Sequence, residues 1–319
     1  MFQHDVIIIG GGLAGLRAAI EASALVDTAV VSRVHPLRSH TKAAQGGINA
    51  ALGNADAGRD DTPEKHAFDT VKGSDFLADQ DAADLMTRMA PECIFELEHW
   101  GCAFSRTDEG KIAQRPFGGA GFPRTCYGAD RTGLYLLQTV YEQSVKRKVK
   151  QYQEYFVTSL IVDDGSCRGV IALNIKTGEL VPIGAKATIL ATGGIAWIYS
   201  ISTNSMINTG NGMTIAYRAG VPLKDMEFIQ FHPTGLYPSG LLITEGARGE
   251  GGYLVNSKGE RFMERYAPKA MELAPRDIVS RSIQKEIDEG RAFENAYVHL
   301  DLRHLGREKI MTRLPGIRE

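Results

Sequence analysis

The chain has 319 residues, of which 43% are hydrophobic, and its 36 basic and 38 acidic side chains give a formal net charge of −2. This length allows two domains, and the balanced charge, without a basic tract interleaved with aromatic residues, argues against nucleic-acid binding. No run of ~20 apolar residues predicts a membrane span, and folded sequence begins too early for a signal peptide. The spacing of the four cysteines predicts reduced, buried thiols and no metal site.

The first predicted element is an apolar strand that turns into a helix through a glycine fingerprint. Val6–Ile9 run directly into Gly10-Gly-Gly12-Leu-Ala-Gly15. In this pattern Gly10 makes the tight turn, Gly12 lets the backbone approach a phosphate, and Gly15 packs the helix against the strand. The helix N-terminus supplies N–H groups and a partial positive charge for phosphates. The segment therefore predicts a dinucleotide site.

The second predicted strand, residues 28–32, ends in Ser32 and Arg33. An acidic residue at this point normally holds the ribose 2′-hydroxyl of NAD. Its absence argues against a plain NAD site, although the Ser32 hydroxyl can still bond to ribose or adenosine.

The next segment carries a family resemblance. Residues 38–47, Arg-Ser-His-Thr-Lys-Ala-Ala-Gln-Gly-Gly, resemble the flavin loop of the succinate dehydrogenase and fumarate reductase flavoprotein subunits. The resemblance implies that FAD is the cofactor and that it is bound covalently through the ring of His40. The alternative is a loop histidine that only forms hydrogen bonds. The resemblance also implies cofactor contacts from neighbouring residues, namely Ser39, Thr41, Gln45, Gly46 and Gly47.

The middle of the chain predicts helices, a hairpin and a β-meander. The helices cover residues 60–73, 79–101 and 130–148, and a hairpin is predicted within 104–116. A β-meander occupies about residues 151–186, after which the main sheet resumes at 187–194. That last strand ends in Ala-Thr-Gly-Gly, which is typical of flavoproteins in which Thr192, Gly193 and Gly194 pass close to FAD.

Residues 209–212, Thr-Gly-Asn-Gly, resemble a further FAD-contacting segment that opens a helix over 213–219. The family's usual aspartate is replaced by Asn211, which keeps a carbonyl acceptor but loses the charge, so this contact would be weakened. Alternatively, Asn211 is a left-handed turn residue, a conformation that suits asparagine.

From residue 224 the chain resembles the family's capping domain, with loops, short elements and a helix that starts at residues 275–277 and ends at 288. The resemblance implies that His232 and Thr244 hydrogen-bond a substrate carboxylate. It also implies that Glu245 and Arg248 form a proton-relay pair, and that Arg276 exchanges the proton with substrate.

An arginine is an unusual acid or base, because its free pKa lies above ~12. A neighbouring glutamate and a second cation in a water-poor cleft would couple the loss of one proton to its immediate resupply. The alternative for Arg276 is a simple salt bridge with Asp277 or another nearby acid. Phe117, in Arg-Pro-Phe-Gly-Gly, resembles the residue that packs against the bound dicarboxylate, and it is equally well interpreted as an ordinary core aromatic.

We therefore predict an α/β fold. A Rossmann-like FAD-binding domain, residues 1–223, would contain the β-meander, and a partial α+β capping domain would follow at 224–319. The resemblance extends over residues 6–317 but over only about the first half of a typical family member. The family's second carboxylate clamp would lie beyond residue 319, so we expect little or no turnover from this chain alone. The short connection over residues 119–124 is another departure from the family.

The resemblance implies an enzyme that interconverts succinate and fumarate by hydride transfer to or from FAD. Its electrons would pass to an iron–sulfur subunit and a quinone, in a complex with membrane anchor subunits. We expect a cytoplasmic protein held at the inner face of the cell membrane by these partners. One alternative is L-aspartate oxidase, which has non-covalent FAD and lacks the flavin-loop histidine. The other is a truncated, inactive flavin-binding or docking module.

Overall fold

The computed structural model describes the backbone of residues 2–318 and the side chains of residues 2–317. The chain forms two compact units, each built from two stretches. The first unit comprises the chain up to Ala43 together with Leu134–Ile229, and the second comprises Ala44–Gly133 and the chain from Gln230 onward. The two units are defined by contacts between residues, whereas the predicted domains are defined by sequence motifs. They assign residues 44–133 to the second unit, so the domain boundary between 223 and 224 stays a prediction.

The described strands of four or more residues all lie in the first unit, and the second consists mainly of helices and short strands. The described strands are β1 Phe2–Ile9, β2 Thr28–Ser32, β3 Ile48–Asn49, β4 Gln114–Arg115, β5 Thr125–Cys126, β6 Lys150–Gln153, β7 Tyr155–Asp163, β8 Ser166–Asn174, β9 Leu180–Leu190, β10 Gly235–Leu236, β11 Leu241–Leu242, β12 Tyr253–Val255 and β13 His299–Asp301. The described α-helices are α1 Leu13–Ala22, α2 Pro63–Gly73, α3 Gln80–His99, α4 Thr132–Lys146, α5 Asn211–Arg218, α6 Gly246–Gly249, α7 Met263–Tyr266, α8 Arg276–Asp288, α9 Arg307–Arg313 and α10 Pro315–Arg318.

The first unit is organised around a six-stranded sheet with the order β6-β2-β1-β9-β8-β7. β1 runs parallel to both β2 and β9, and β2 runs parallel to β6. Ile7, Ile8 and Ile9 are buried, as expected for a parallel strand covered on both faces. The predicted α/β fold with a Rossmann-like βα unit is confirmed.

One predicted boundary within this sheet is wrong. The β-meander and the resumed strand are not separate, because β9 is continuous from Leu180 to Leu190. Its first half pairs antiparallel with β8, and from Ile183 onward it pairs parallel with β1. A strand has two edges, so these two ladders overlap at residues 183–184 and require no turn between them.

The predicted helices are present within a few residues of their predicted bounds, because their ends carry local signals, whereas the short helices α6, α7, α9 and α10 were not predicted. Thr62 caps α2, its hydroxyl accepting a hydrogen bond from Lys65 N, and Pro63 follows at the first helical position. Asp79 caps α3 through Ala82 N. Pro275 precedes α8, as suits a residue that cannot donate a backbone hydrogen bond. The predicted hairpin at 104–116 is reduced to a single antiparallel bridge between Arg106 and Ile112.

The predicted burial of the cysteines is correct for Cys102 and Cys126, whereas Cys167 is half-buried and Cys93 is exposed. Cys93 shares the outward face of α3 with Met86 and Met89, which are also exposed, because residues three and four apart in a helix point the same way. None of the helices in residues 2–318 combines the length and apolarity needed to cross a membrane.

The second unit contains a buried ionic centre at Arg124. Its guanidinium, 1% exposed, donates through Nε and Nη2 to the two carboxylate oxygens of Asp61 at 2.9 and 2.8 Å. The third nitrogen, Nη1, donates to Asp69 Oδ2 at 2.7 Å. Asp69 lies on α2, and its Oδ2 also accepts a hydrogen bond from Gly121 N at 2.8 Å. Arg124 therefore ties α2 to the short connection over residues 119–124.

Candidate functional site

The first unit contains a cavity of about 630 Å³ at the carboxyl ends of β1, β2 and β9. Ligands of open α/β sheets bind at this edge. The cavity is lined by most of the predicted cofactor residues of this unit: Gly10, Gly12, Ser32, Arg33, Ser39, His40, Thr41, Thr192, Gly193, Gly194 and Asn211.

Two glycines of the fingerprint leave no space for a side chain where β1 turns into α1. A Cβ on Gly10, whose φ is +118°, would overlap Ala191 O, and a Cβ on Gly15 would overlap Gly10 O. Gly12 occupies the N-cap position of α1 and has no side chain to cap the helix. No side chain of Gly12 therefore shields the N-terminus of α1, which suits the close approach of a pyrophosphate.

The flavin-loop residues of the first unit fit a ligand in this cavity. His40 Nδ1 accepts a hydrogen bond from Ser205 N at 3.1 Å, and burial lowers the pKa of the imidazole. Thr41 Oγ1 accepts from Leu13 N, in the first turn of α1, at 3.3 Å. Ser39 Oγ is buried and has no hydrogen-bond partner among the described residues. A buried hydroxyl without a partner is costly unless a ligand or water satisfies it.

Ser32 and Arg33 lie beside the cavity in place of the acid expected in an NAD site. Ser32 Oγ donates to Val34 O at 2.7 Å, so its lone pairs remain to accept from a ligand. The Arg33 guanidinium lies 5.0 Å from the ring centroid of Phe156, which also lines the cavity.

The alternative interpretation of Asn211 as a left-handed turn residue is wrong. Asn211 is the first residue of α5, and the left-handed conformation belongs to Gly210, with φ of 76°. Asn211 Nδ2 donates to Val157 O at 2.9 Å. An aspartate would place a carboxylate oxygen against that carbonyl. This hydrogen bond therefore explains why an amide suits position 211 better than a carboxylate. Asn211 also lines the cavity, where its Oδ1 is an acceptor.

The remaining flavin-loop residues, Gln45–Gly47, belong to the second unit. Arg115, buried, donates to the carbonyl oxygens of Gly46 and Ala129, and the pKa of its guanidinium is lowered by burial. The ring of Phe117 packs on Gly46 so closely that a Cβ there would lie 2.5 Å from it. Phe117 is half-buried, which leaves both interpretations of its role open. Arg115 was missed by the sequence analysis, since nothing in Arg-Pro-Phe signals a distant carbonyl partner.

The predicted relay residues of the second unit are in contact. Glu245 is buried, and its Oε2 accepts from Arg276 Nε at 2.6 Å and lies 3.6 Å from Arg248 Nη2. Arg248 is buried too, and donates from Nη1 to Glu272 O at 2.6 Å. Arg276, at the start of α8, is about one-third exposed and also donates from Nη1 to Gln230 Oε1 at 2.9 Å. The predicted salt bridge of Arg276 with an acid is thus present, but the acid is Glu245.

Burial is the main cause of the altered electrostatics in this cluster. It lowers the pKa of Arg248, an effect that Arg276 adds to and Glu245 opposes. Burial, followed by the charges of Arg276 and Arg248, lowers the pKa of His232 to about 4. His232 therefore lies in the electrostatic field of the two arginines.

Each of the two predicted carboxylate-binding residues has a polar group that is available to a ligand. His232 Nδ1 lies 3.0 Å from Thr234 O and 3.3 Å from Thr234 N, so within the described chain Nε2 is the nitrogen that remains for a ligand. Thr244 is buried, and its Oγ1 accepts from Gly246 N at 3.1 Å, which leaves its O–H to donate.

Two contacts of this cluster were missed by the sequence analysis. Gln230 bonds to Arg276, and Gly118 N donates to Glu245 Oε1 at 2.7 Å. Gln230 stands two residues before His232, a nearness that could have suggested it. Gly118 is 127 residues away from Glu245 in the chain, and no local pattern predicts that contact.

Parallel strands that turn into a helix through a glycine fingerprint, with a cavity of about 630 Å³ at their carboxyl ends, define a dinucleotide-binding protein. Residues 5–319 match the FAD binding domain family, and the chain belongs to it. The predicted cofactor, FAD, is confirmed. The chain is 55% identical to the succinate dehydrogenase flavoprotein subunit of Rickettsia bellii, over 99% of this chain and 54% of that protein.

Other relatives agree. The chain is 46% identical to the fumarate reductase flavoprotein subunit of Mycobacterium tuberculosis, over 99% of this chain and 56% of that protein. The structure of the E. coli quinol fumarate reductase FrdA matches with a TM-score of 0.94 at 43% identity, over 99% of this chain and 56% of that one. The resemblance seen in the sequence is confirmed, and the chain spans about half the length of these relatives.

Proposed function

We propose that this chain belongs to a flavoprotein that interconverts succinate and fumarate, with FAD in the cavity of the first unit and the dicarboxylate handled by the charged cluster of the second. The observation that carries the proposal is the buried contact between Glu245 and the two arginines, Arg248 and Arg276. The named relatives are succinate dehydrogenase and fumarate reductase subunits, which favours this interpretation over L-aspartate oxidase or an inactive module.

The reaction needs a hydride and a proton to leave adjacent carbons of succinate, or to be added to fumarate. Bound FAD accepts or supplies the hydride. The chain's residues must exchange the proton, and Arg276 is the group proposed for this role. In fumarate reduction Arg276 donates a proton to the substrate carbon and is reprotonated through Glu245 Oε2, which lies 2.6 Å from Nε. Succinate oxidation runs the same transfers in reverse.

Arg248 is proposed to resupply Glu245. Because burial lowers the pKa of Arg248, its guanidinium releases a proton more readily than that of an arginine in water. Its Nε and Nη2 are buried without hydrogen-bond partners among the described residues, so these N–H groups are not held by other acceptors. Glu245 thus stands between two guanidinium groups of different exposure.

The substrate carboxylate is proposed to bind His232 and Thr244, with Phe117 against the hydrocarbon part. With Nδ1 accepting from Thr234 N, the neutral imidazole carries its proton on Nε2, and this N–H and the Thr244 hydroxyl can each donate one hydrogen bond to a carboxylate. The low pKa of His232 keeps its ring neutral, so it orients the substrate without adding a charge beside the arginines.

FAD is proposed to be tethered covalently through His40 Nε2. Ser205 N donates a hydrogen bond to Nδ1, so Nε2 is the ring nitrogen that remains for a covalent bond. We expect wild-type holoprotein to keep its flavin fluorescence on a denaturing gel. We expect His40→Ser to bind FAD in solution and lose it on denaturation, with His35→Ser as the matched control. Fluorescence that stays with the His40→Ser polypeptide would contradict the tether.

Further proposals concern the whole complex. By analogy with relatives named as flavoprotein subunits and as a quinol fumarate reductase, electrons would pass to an iron–sulfur subunit and a quinone. Anchor subunits would hold the protein at the cytoplasmic face of the cell membrane.

The test uses the holoenzyme, with the flavoprotein at the full length of its relatives and with its native partners. We expect succinate-dependent dye reduction and fumarate-dependent oxidation of a reduced dye. Arg276→Lys should lower kcat by at least about 10²-fold, the scale of general acid–base catalysis, without loss of FAD. Arg281→Lys, on the exposed side of α8, is the control and should remain active. Absence of both activities in wild type, or equal activity of the two variants, overturns the proposal, and turnover of L-aspartate favours the oxidase.

A further inference from the structure

The two oxygens of the Glu245 carboxylate have different partners. Oε2 faces the arginines, accepting from Arg276 Nε at 2.6 Å and lying 3.6 Å from Arg248 Nη2. Oε1 accepts a hydrogen bond from the backbone N of Gly118 at 2.7 Å. A backbone amide in this position neither gives up nor takes a proton under physiological conditions, so Oε1 has a fixed partner and Oε2 has the exchangeable ones.

We propose that Gly118 is a positioning residue of the proton relay, an inference that rests on the proposed function. Its N–H fixes the rotation of the Glu245 carboxylate, so that Oε2 alone exchanges protons with Arg276 and Arg248. Without this hydrogen bond the carboxylate turns about its last side-chain bond, and its oxygens no longer keep a constant distance to Arg276 Nε.

Glycine is required at position 118 because Glu245 occupies the space of a side chain. A Cβ on Gly118 would lie 2.5 Å from Glu245 Oε1 and 3.0 Å from Ala274 O. The carboxylate is the end of a flexible side chain, whereas Ala274 O belongs to the backbone just before α8. An added methyl group therefore displaces the carboxylate first.

The loop that carries Gly118 is itself held in place. Gly119 N donates to Leu273 O at 3.1 Å, and Ala120 N donates to Phe117 O at 3.2 Å. The same loop presents Phe117, the proposed contact for the substrate's hydrocarbon part. A single peptide unit thus links the residue that packs on substrate to the carboxylate that carries the proton.

The test compares Gly118→Ala with Gly73→Ala in the holoenzyme. Gly73 ends α2, and a Cβ there meets nothing within 4 Å, so this control should match wild type. Gly118→Ala should lower kcat for fumarate reduction by about 10²-fold, the scale of lost acid–base catalysis, with KM changed by less than about threefold. FAD content and Tm should stay close to those of the control. A kcat equal to that of Gly73→Ala overturns the proposal.

A double-mutant cycle separates an effect through Glu245 from one through Ala274 O. Glu245→Asp shortens the side chain by one methylene, and in the double variant Gly118→Ala/Glu245→Asp this frees the space that the added methyl group needs. In the Glu245→Asp background we expect Gly118→Ala to lower kcat by less than about threefold, a strong coupling between the two sites. If Gly118→Ala still lowers kcat by about 10²-fold in the Glu245→Asp background, its effect does not act through Glu245, and the proposal is overturned. The double variant also serves if Gly118→Ala alone does not fold.

A crystal structure of Gly118→Ala gives a readout independent of turnover. We expect the Glu245 Oε2 to Arg276 Nε distance, 2.6 Å here, to exceed hydrogen-bonding range. An unchanged distance overturns the positioning role. If the wild-type holoenzyme converts neither succinate nor fumarate, the proposed function fails, while this structural comparison still decides whether Gly118 holds the carboxylate.

Discussion

His232 shows how one half-buried residue links the site to the stability of the fold. Burial, then the charges of Arg276 and Arg248, lower the pKa of its imidazole to about 4, against ~6.5 for an exposed histidine. At a pH between these two pKa values, His232 is protonated in the unfolded chain and neutral in the folded chain. Stability therefore falls as the pH drops from about 6.5 toward 4.

His232→Asn should remove this part of the acid sensitivity. Lowering the pH from 7 to 5 should cost the wild-type protein roughly 2 kcal/mol more than the variant, since about 1.5 pKa units separate pH 5 from the unfolded value. The measurement is the free energy of unfolding by urea at both pH values. His99→Asn, at an exposed position on α3, is the control and should follow wild type. Equal losses in wild type and His232→Asn would show that His232 is not buried neutral.

At the residue scale, motifs identified candidate side chains but not the groups that hold them in place. The glycine fingerprint, His40 and the predicted relay residues each have a recognisable neighbourhood in the sequence. Their partners do not: Ser205 lies 165 residues from His40, and Gly118 lies 127 residues from Glu245. Backbone N–H groups are present at every residue except proline, so no residue type marks the ones that bind.

At the element scale, local chemistry made the helices predictable and left the sheet boundaries uncertain. Thr62 and Asp79 satisfy N–H groups in the first turns of α2 and α3, and these capping residues are visible in the sequence. The length of β9 is not visible in the sequence, because its pairing changes from β8 to β1 without any turn residue. The ionic centre at Arg124 was equally hidden, since Asp61 and Asp69 lie 63 and 55 residues away.

Arg124 should be essential to the stability of the second unit. Arg124→Met would leave Asp61 and Asp69 without their guanidinium partner. Breaking a buried ion pair in this way costs about 3–5 kcal/mol. Urea unfolding should show this loss, whereas Arg59→Met should change stability by less than about 1 kcal/mol, because the pair of Arg59 with Asp56 is exposed. A similarly small effect of Arg124→Met would mean that the two carboxylates find other partners.

At the scale of the whole molecule, each compact unit combines two separate stretches of chain. The boundary between Ala43 and Ala44 falls inside the flavin-loop motif of residues 38–47. A motif is a continuous run of residues, whereas a compact unit is defined by contacts, so composition and motifs gave no sign of this division. The cofactor and the family were predictable because they depend on short segments, while the grouping of those segments depends on the packing of the entire chain.

The central place of β1 also affects how the protein is made. β1 leaves the ribosome before the other described strands, yet Ile7 pairs with Thr188 in β9 as well as with Ala29 in β2. At ~5–20 residues per second, synthesis of the intervening chain takes on the order of ten seconds or more. During that time one edge of an apolar strand is open to pairing with other chains. The risk of mispairing is therefore greatest before β9 emerges.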